Sequence, residues 1–133
     1  MIAVDTSVWI DALAGRESWQ VDHLRQAIRR ESPVALPSLV LTEVLQGIPD
    51  DRAHDRVADD LLRFVPLDLH GAADHLAAAD LYRLARRRGI TVRSTIDCLI
   101  ATVCIRERVP LLHRDRDFDH LARVSDLVVV ARP

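Results

Sequence analysis

Residues 1–11 read Met-Ile-Ala-Val-Asp-Thr-Ser-Val-Trp-Ile-Asp, and this stretch decides the fold. Its apolar run, residues 2–4, is too short for a helix and has no polar interruption, which is typical of a strand buried on both faces. The run stops at Asp5, so this carboxylate stands at the carboxyl end of the strand, where open α/β sheets bind their ligands. Asp5 is also a good N-cap for the helix that follows, and this purely structural role remains open at this point.

The composition indicates one domain, which we take to span residues 1–133. With 49% hydrophobic residues, the chain can bury one well-developed core. No apolar stretch reaches the length of a membrane span, and Asp5 interrupts any signal peptide, so we expect a cytoplasmic protein with no membrane partner. Cys98 and Cys104 fit neither a disulfide nor a metal-binding CxxC pair and are expected to be buried thiols.

The basic residues are more informative than the net charge. The net charge is −2 and the pI about 6.3, so composition alone does not indicate a nucleic-acid-binding protein. All 18 basic residues are arginine, which suits bidentate contact with phosphate but also arises in a high-GC genome. Arg86, Arg87 and Arg88 precede Gly89, and Arg93 follows closely. This cluster either complements the dipole of a helix C-terminus or contacts RNA, and both interpretations remain open.

Apolar runs alternate with helical patterns along the rest of the chain. Further strands are predicted at residues 33–37, 64–67, 109–112 and 127–130, with helices at residues 8–15, 17–30, 38–48, 50–63, 72–88, 94–106 and 121–124. The helix at 72–88 is predicted to turn Leu76, Ala77, Leu81 and Leu84 inward. This alternation is typical of an α/β/α sandwich with a mostly parallel central sheet.

Four acidic residues occupy positions that would lie at the same edge of such a sheet. Asp5 and Asp115 follow apolar strands, while Glu43 and Asp97 are predicted in the first turns of apolar helices; Asp97 also fits a capping box that begins at Ser94. If the first and fourth strands are neighbours, all four carboxylates converge. Crowded like charges need a divalent cation, and oxygen-only ligands favour Mg²⁺ or Mn²⁺. Such an ion lowers the pKa of bound water and neutralises phosphodiester charge, which is nuclease chemistry.

Four segments together resemble the PIN-domain ribonucleases, and more narrowly the toxins of VapBC-type bacterial toxin–antitoxin pairs. The segments are residues 4–7, 38–43, 94–101 and 111–118. The resemblance implies a PIN-like fold, Mg²⁺- or Mn²⁺-dependent endonucleolytic cleavage of RNA, a toxin homodimer and a cognate antitoxin. Position by position, it assigns catalytic and metal-binding roles to Asp5, Glu43, Asp97 and Asp115, with Thr6 and Asp117 as auxiliaries and Arg86, Arg87 and Arg93 as candidates for RNA contact.

One position departs from the family pattern. Many members have Thr or Ser two residues before the last acid, where this chain has His113. His113 is therefore either a substitute hydrogen-bond donor or a surface residue of no special role, and we expect the second.

An apolar groove is the predicted site for the antitoxin. Trp9 and Trp19, with Ile10, Leu13 and the charged segment 50–63, are candidates to line a groove for a partner helix. Ordinary core packing of the two tryptophans is the alternative.

Other function classes fit the residues less well. A receiver domain resembles this pattern but needs a lysine, which the chain lacks, and a haloacid-dehalogenase-type phosphatase would have Asp-x-Asp after the first strand. A calcium loop starting at Asp115 has His120 where glycine is required. The remaining alternative is a catalytically silent PIN-like protein-interaction module, although such a module has no need of four clustered carboxylates.

Overall fold

A four-stranded parallel sheet lies at the centre of the computed structural model, which describes all 133 residues. Its strands are β1 (Ile2–Val4), β2 (Val34–Pro37), β3 (Val65–Leu67) and β4 (Leu111–Leu112), in the order β3-β2-β1-β4. β1 pairs with β2 through Ile2 and Val34, and with β4 through Ala3 and Leu111. The first and fourth strands are thus neighbours, the condition under which the acids converge.

Seven helices connect and cover the strands. They are α1 (Thr6–Leu13), α2 (Trp19–Arg29), α3 (Ser38–Gln46), α4 (Asp51–Leu61), α5 (Gly71–Arg87), α6 (Thr95–Glu107) and α7 (Arg116–Val124). α1 packs on α2 and α3, and α3 packs on α4, whereas α5, α6 and α7 contact one another. This arrangement confirms the predicted α/β/α class. None of the helices has both the length and the apolar composition that crossing a membrane requires.

Local sequence determines where several helices begin and end. The Asp50 side chain caps α4 by accepting a 2.9 Å hydrogen bond from the Ala53 N–H. α5 ends before Gly89, whose φ of +78° lies in the left-handed region. This conformation lets the Ile90 N–H donate to the Ala85 carbonyl at 2.9 Å, which closes the helix end. The segment from α5 to α6 therefore leaves the helix in a defined direction.

The core surrounds the sheet and α6. Both residues of β4 are fully buried, and α6 buries Cys98 and every residue from 100 to 104. Cys98 and Cys104 are free, buried thiols, as predicted. Burial raises the pKa of Cys98 to about 11 and that of Cys104 to about 12, so neither is a reactive thiolate at neutral pH.

The inward face of α5 differs from the prediction. Leu81 is buried, but Leu76 is 68% exposed and Ala77 is exposed as well. The buried face instead carries Asp74, which accepts a 3.0 Å hydrogen bond from Arg106 Nη1 in α6. This ion pair lies on the inward face beside Leu81, and an apolar pattern does not predict a carboxylate there.

The C-terminal segment also differs from the prediction. Residues 127–130 form a single parallel bridge, between Val129 and Leu111, rather than a full strand. α7 begins immediately after Asp115 instead of at residue 121, so the acidic segment 115–119 is mostly helical.

Candidate active site

The carboxyl ends of β1 and β4 place acidic side chains at one edge of the sheet. Asp5 follows β1 and is the N-cap of α1, and Asp115 follows β4 and is the N-cap of α7. Asp97 lies in the first turn of α6. Carboxylate oxygens of Asp97, Asp115 and Asp117 lie within 4.8 Å of one another. We call these three residues the acidic cluster.

Asp5 and Glu43 are held beside this cluster by hydroxyl groups. Asp5 is only 5% exposed, and its Oδ2 accepts hydrogen bonds from Ser7 Oγ (2.8 Å) and the Ser7 N–H (3.3 Å). Glu43 Oε1 accepts a 2.8 Å hydrogen bond from Thr6 Oγ1, the residue next to Asp5. Burial raises the pKa of Asp5, and the charge of Glu43 adds to this effect. Glu43 lies in the second turn of α3, not the first as predicted, because it is the sixth residue of a helix that begins at Ser38.

Asp97 has the most strongly perturbed carboxyl group of the site. Its pKa is raised to about 7, first by burial and then by the charges of Asp5 and Asp115. The capping box that would explain Asp97 structurally does not form, because the Ser94 side chain makes no capping hydrogen bond. A half-buried carboxyl group among other acids fits the oxygen-donor chemistry of a divalent cation.

Arg93 neutralises two members of the acidic cluster. Its Nη2 donates to Asp115 Oδ1 at 3.0 Å, and its Nε donates to Asp117 Oδ2 at 3.0 Å. The hydrogen bond with Asp117 is the main reason why the pKa of Arg93 is raised. Asp117 is only 3% exposed, so it lies inside the site. Sequence reasoning missed this pairing because Arg93 lies more than 20 residues from both acids, and no local pattern encodes the contact.

His113 is buried and holds the backbone at Asp115. It is 8% exposed, and its ring packs on Phe118 with centroids 5.3 Å apart. Its Nδ1 accepts a 3.0 Å hydrogen bond from the Asp115 N–H, which leaves Nε2 to donate to Asp119 Oδ1 at 3.1 Å. The expectation of an ordinary surface residue is therefore wrong, since the ring is enclosed and both nitrogens are bound.

A second ion pair ties α1 to the loop between β4 and α7. The Arg114 N–H donates to Ser7 Oγ at 3.2 Å, and the Arg114 side chain pairs with Asp11. The hydrogen bond from the Arg114 side chain holds the pKa of Asp11 below its usual value. Ser7 therefore contacts both Asp5 and the loop that carries Asp115, which fixes the two strand ends relative to each other.

The predicted arginine patch lies on an exposed surface. Arg86 and Arg87 occupy the last turn of α5, and neither forms an ion pair. Arg86 Nη1 donates to Thr91 Oγ1 at 3.3 Å, in the segment that leads to Arg93. Both guanidinium groups are thus available to an anionic partner.

An apolar groove lies between α1, α3 and α4, and none of the acids of the proposed site lines it. Its volume is about 340 Å³, and it is lined by Ile10, Leu13, Ala14, Val44, Gly47, Ile48, Ala53 and Val57. Trp9 is 5% exposed and packs on Phe64 with ring centroids 5.0 Å apart, while Trp19 packs edge-on against His23. The prediction is right for Ile10 and Leu13, but the tryptophans are not among the lining residues.

The family of the chain follows from its match to a PIN-domain model over residues 2–124. The chain belongs to the PIN-domain family. The resemblance predicted from the four sequence segments is therefore confirmed.

Relatives of this PIN domain include a named ribonuclease. The chain is 39% identical over 129 residues to the VapC ribonuclease Mb1587 of Mycobacterium bovis, and the match covers 96% of each chain. Two solved structures share the fold at lower identity. VapBC2 from Rickettsia felis, bound to a promoter DNA fragment, has a TM-score of 0.76 at 18% identity and covers 98% of both chains. A toxin–antitoxin complex from Klebsiella pneumoniae has a TM-score of 0.70 at 20% identity, covering 89% of this PIN domain and 90% of that chain.

Proposed function

We propose that this chain is a metal-dependent endoribonuclease and the toxin of a bacterial type II toxin–antitoxin pair. The observation that carries the proposal is the gathering of Asp97, Asp115 and Asp117 at the carboxyl ends of β1 and β4, in a chain 39% identical to a VapC ribonuclease. Arg93, which contacts two of these acids, and the exposed Arg86 and Arg87 suit an anionic polymer as substrate. We place the reaction in the cytoplasm, where such a substrate is found.

The donor set fits Mg²⁺ or Mn²⁺. The acidic cluster offers carboxylate oxygens only, and Asp5 and Glu43 add two more carboxylates at its edge. No histidine or cysteine belongs to the cluster, which disfavours zinc. When bound, a divalent ion there supplies a water of lowered pKa and charge neutralisation at the phosphodiester.

The protein residues hold the site in shape and position the RNA. Ser7 fixes the carboxylate of Asp5, and Thr6 fixes that of Glu43. His113 holds the backbone of Asp115 in place through its N–H. Arg86 and Arg87 are assigned to the phosphates of the RNA backbone, which they can reach without giving up an ion pair.

We propose the groove between α1, α3 and α4 as the binding site of the antitoxin. Ile10 and Leu13 are 41% and 51% exposed, which is unusual for such large apolar side chains on a helix that otherwise faces the core. An amphipathic helix of the antitoxin would cover them.

We also propose a homodimer, in which the exposed apolar side of α5 around Leu76 is covered by a second copy.

The test of the proposed function is cleavage of total cellular RNA by the purified, antitoxin-free protein. We expect discrete fragments with Mg²⁺ or Mn²⁺, none with EDTA, and none from Asp5→Asn. Asp59→Asn, an exposed acid of α4, is the matched control and should cleave normally. No cleavage by a folded protein with either ion would favour the catalytically silent interaction module.

A further inference from the structure

Arg93 makes an unusual set of contacts with the proposed metal-binding acids. It lies in the segment between α5 and α6, and its guanidinium bridges Asp115 Oδ1 and Asp117 Oδ2. Its backbone N–H also donates to Asp117 Oδ2, at 3.3 Å. One residue therefore uses both its main chain and its side chain on oxygens of the acidic cluster.

The guanidinium would compete with a divalent cation for two of the three carboxylates of the acidic cluster. Mg²⁺ requires oxygen ligands in direct contact, and a second positive charge a few ångströms away opposes its binding. The Arg93 side chain is 61% exposed, whereas that of Asp117 is 4% exposed. The arginine can thus leave toward solvent, while the carboxylate cannot follow it.

The main-chain contact limits how far Arg93 can move. Because the Arg93 N–H is bound to Asp117, the backbone stays at the rim of the site when the side chain leaves. Arg86 is bound to the same segment, because its guanidinium donates a hydrogen bond to Thr91, two residues before Arg93. A released guanidinium therefore stays next to the patch assigned to RNA phosphates, and phosphate is a bidentate partner equivalent to the carboxylates it gave up.

We propose that Arg93 is a positioning residue that exchanges partners: it leaves Asp115 and Asp117 when a divalent cation binds them and then holds a phosphate of the RNA. The exchange couples the two ligands of the enzyme. The ion releases the arginine for RNA, and bound RNA keeps the arginine from competing with the ion. The inference rests on the proposed nuclease function and adds to it an ordered link between metal and substrate.

Calorimetric titration with Mn²⁺, in the absence of RNA, tests the first half of the exchange. Arg93→Ala and Arg93→Gln should both bind Mn²⁺ more tightly than wild type, by about threefold or more, because a competing cation is removed. Arg93→Gln keeps the side chain as far as Cδ and a hydrogen-bond donor, so it separates loss of charge from loss of the whole side chain. Arg87→Ala, which removes an exposed arginine without an ion pair, should leave Mn²⁺ binding unchanged.

Fluorescence anisotropy with a short labelled single-stranded RNA tests the second half. With Ca²⁺ in place of Mn²⁺, so that the RNA stays intact, Arg93→Ala should bind RNA about 3- to 10-fold more weakly than wild type. The gain in RNA affinity on adding the ion should also be smaller than in wild type. Arg87→Ala should weaken RNA binding but keep the wild-type gain.

The outcomes separate this inference from the proposed function. Weaker or unchanged Mn²⁺ binding by both Arg93 variants, in a protein whose wild type binds Mn²⁺ and cuts RNA, overturns the exchange and leaves the nuclease intact. Tighter Mn²⁺ binding with unchanged RNA affinity also overturns it, since the arginine would then be only a competitor. A wild type that neither binds Mn²⁺ nor cuts RNA overturns the proposed function itself.

Discussion

Asp97 is the residue whose substitution separates catalysis from stability. Asp97→Asn should lower RNA cleavage by about 100-fold or more, because it removes a ligand charge from the acidic cluster. The same change should not destabilise the fold, since Asp97 makes no capping box with Ser94. Cleavage rate and melting temperature are measured on the same preparation. Asp80→Asn, an exposed acid of α5, is the control for the loss of one charge.

The pH dependence of stability follows from the same carboxyl group. Its pKa is 3.8 in the reference state and about 7 in the fold, so the native state binds the proton more tightly. The stabilisation is complete below pH 3.8 and is lost as the pH rises through about 7. Above pH 7 the wild type carries a charge at Asp97 that Asp97→Asn lacks. In EDTA, the variant should therefore melt about 3 °C above wild type, a small difference because solvent screens the half-buried charge. Equal melting temperatures across this range would contradict the raised pKa.

Single residues of the site were predictable where a local rule places them. Asp5 and Asp115 follow apolar runs, so their place at the sheet edge could be predicted from the strands alone. The burial of His113 and the pairing of Arg93 with Asp117 could not, because each depends on a contact between distant segments or on the exact start of α7. The catalytic and metal-binding roles themselves stay predictions.

At the scale of elements, the groove between α1, α3 and α4 carries the prediction on the antitoxin. Leu13→Glu should weaken binding of the co-expressed antitoxin about 10- to 100-fold, because it puts a charge into an apolar lining. Cleavage of RNA by the antitoxin-free variant should be unchanged, since none of the acids of the proposed site lines the groove. Leu62→Glu, 67% exposed and outside the groove lining, is the matched control. Wild-type antitoxin affinity in Leu13→Glu would place the partner on another surface.

Elements whose apolar residues recur at a regular spacing were predicted well, whereas the orientation of α5 and the pairing of residues 127–130 were not. α6 and the four strands of the sheet lie where their apolar runs predict them. α5 has the predicted length, yet its inward face carries the buried Asp74, paired with Arg106, while Leu76 lies exposed. Residues 127–130 have the composition of a strand but form only one bridge with β4, so their composition alone predicts more pairing than the structure has.

For the whole molecule, a bound ion should act as a ligand of the native state. Mn²⁺ at about 100 times its dissociation constant should add roughly 2.7 kcal/mol to the free energy of unfolding and raise the melting temperature accordingly. Asp5→Asn should abolish most of this increase, whereas Asp59→Asn should retain it. Differential scanning calorimetry with and without the ion measures both. An equal increase in the two variants would mean that the ion binds elsewhere.

Association of two copies is the other property of the whole molecule. Leu76→Arg should convert the proposed homodimer into a monomer, because it places a charge in the apolar side of α5 that a second copy covers. Sedimentation velocity gives the mass directly. Leu62→Arg, at an equally exposed leucine, should sediment as wild type. A monomeric wild type, or a Leu76→Arg variant that still dimerises, would contradict the proposed homodimer.

The strand order has a consequence for the timing of synthesis. β1 leaves the ribosome well before its neighbour β4 and the acids that follow β4, because two strands and six helices lie between them in the chain. Domains fold as units once their parts have emerged, so a nascent chain holds Asp5 without Asp115 or Asp117. The acidic cluster therefore cannot assemble during synthesis until β4 has inserted beside β1, so a partly made chain does not yet hold the carboxylates of the proposed site together.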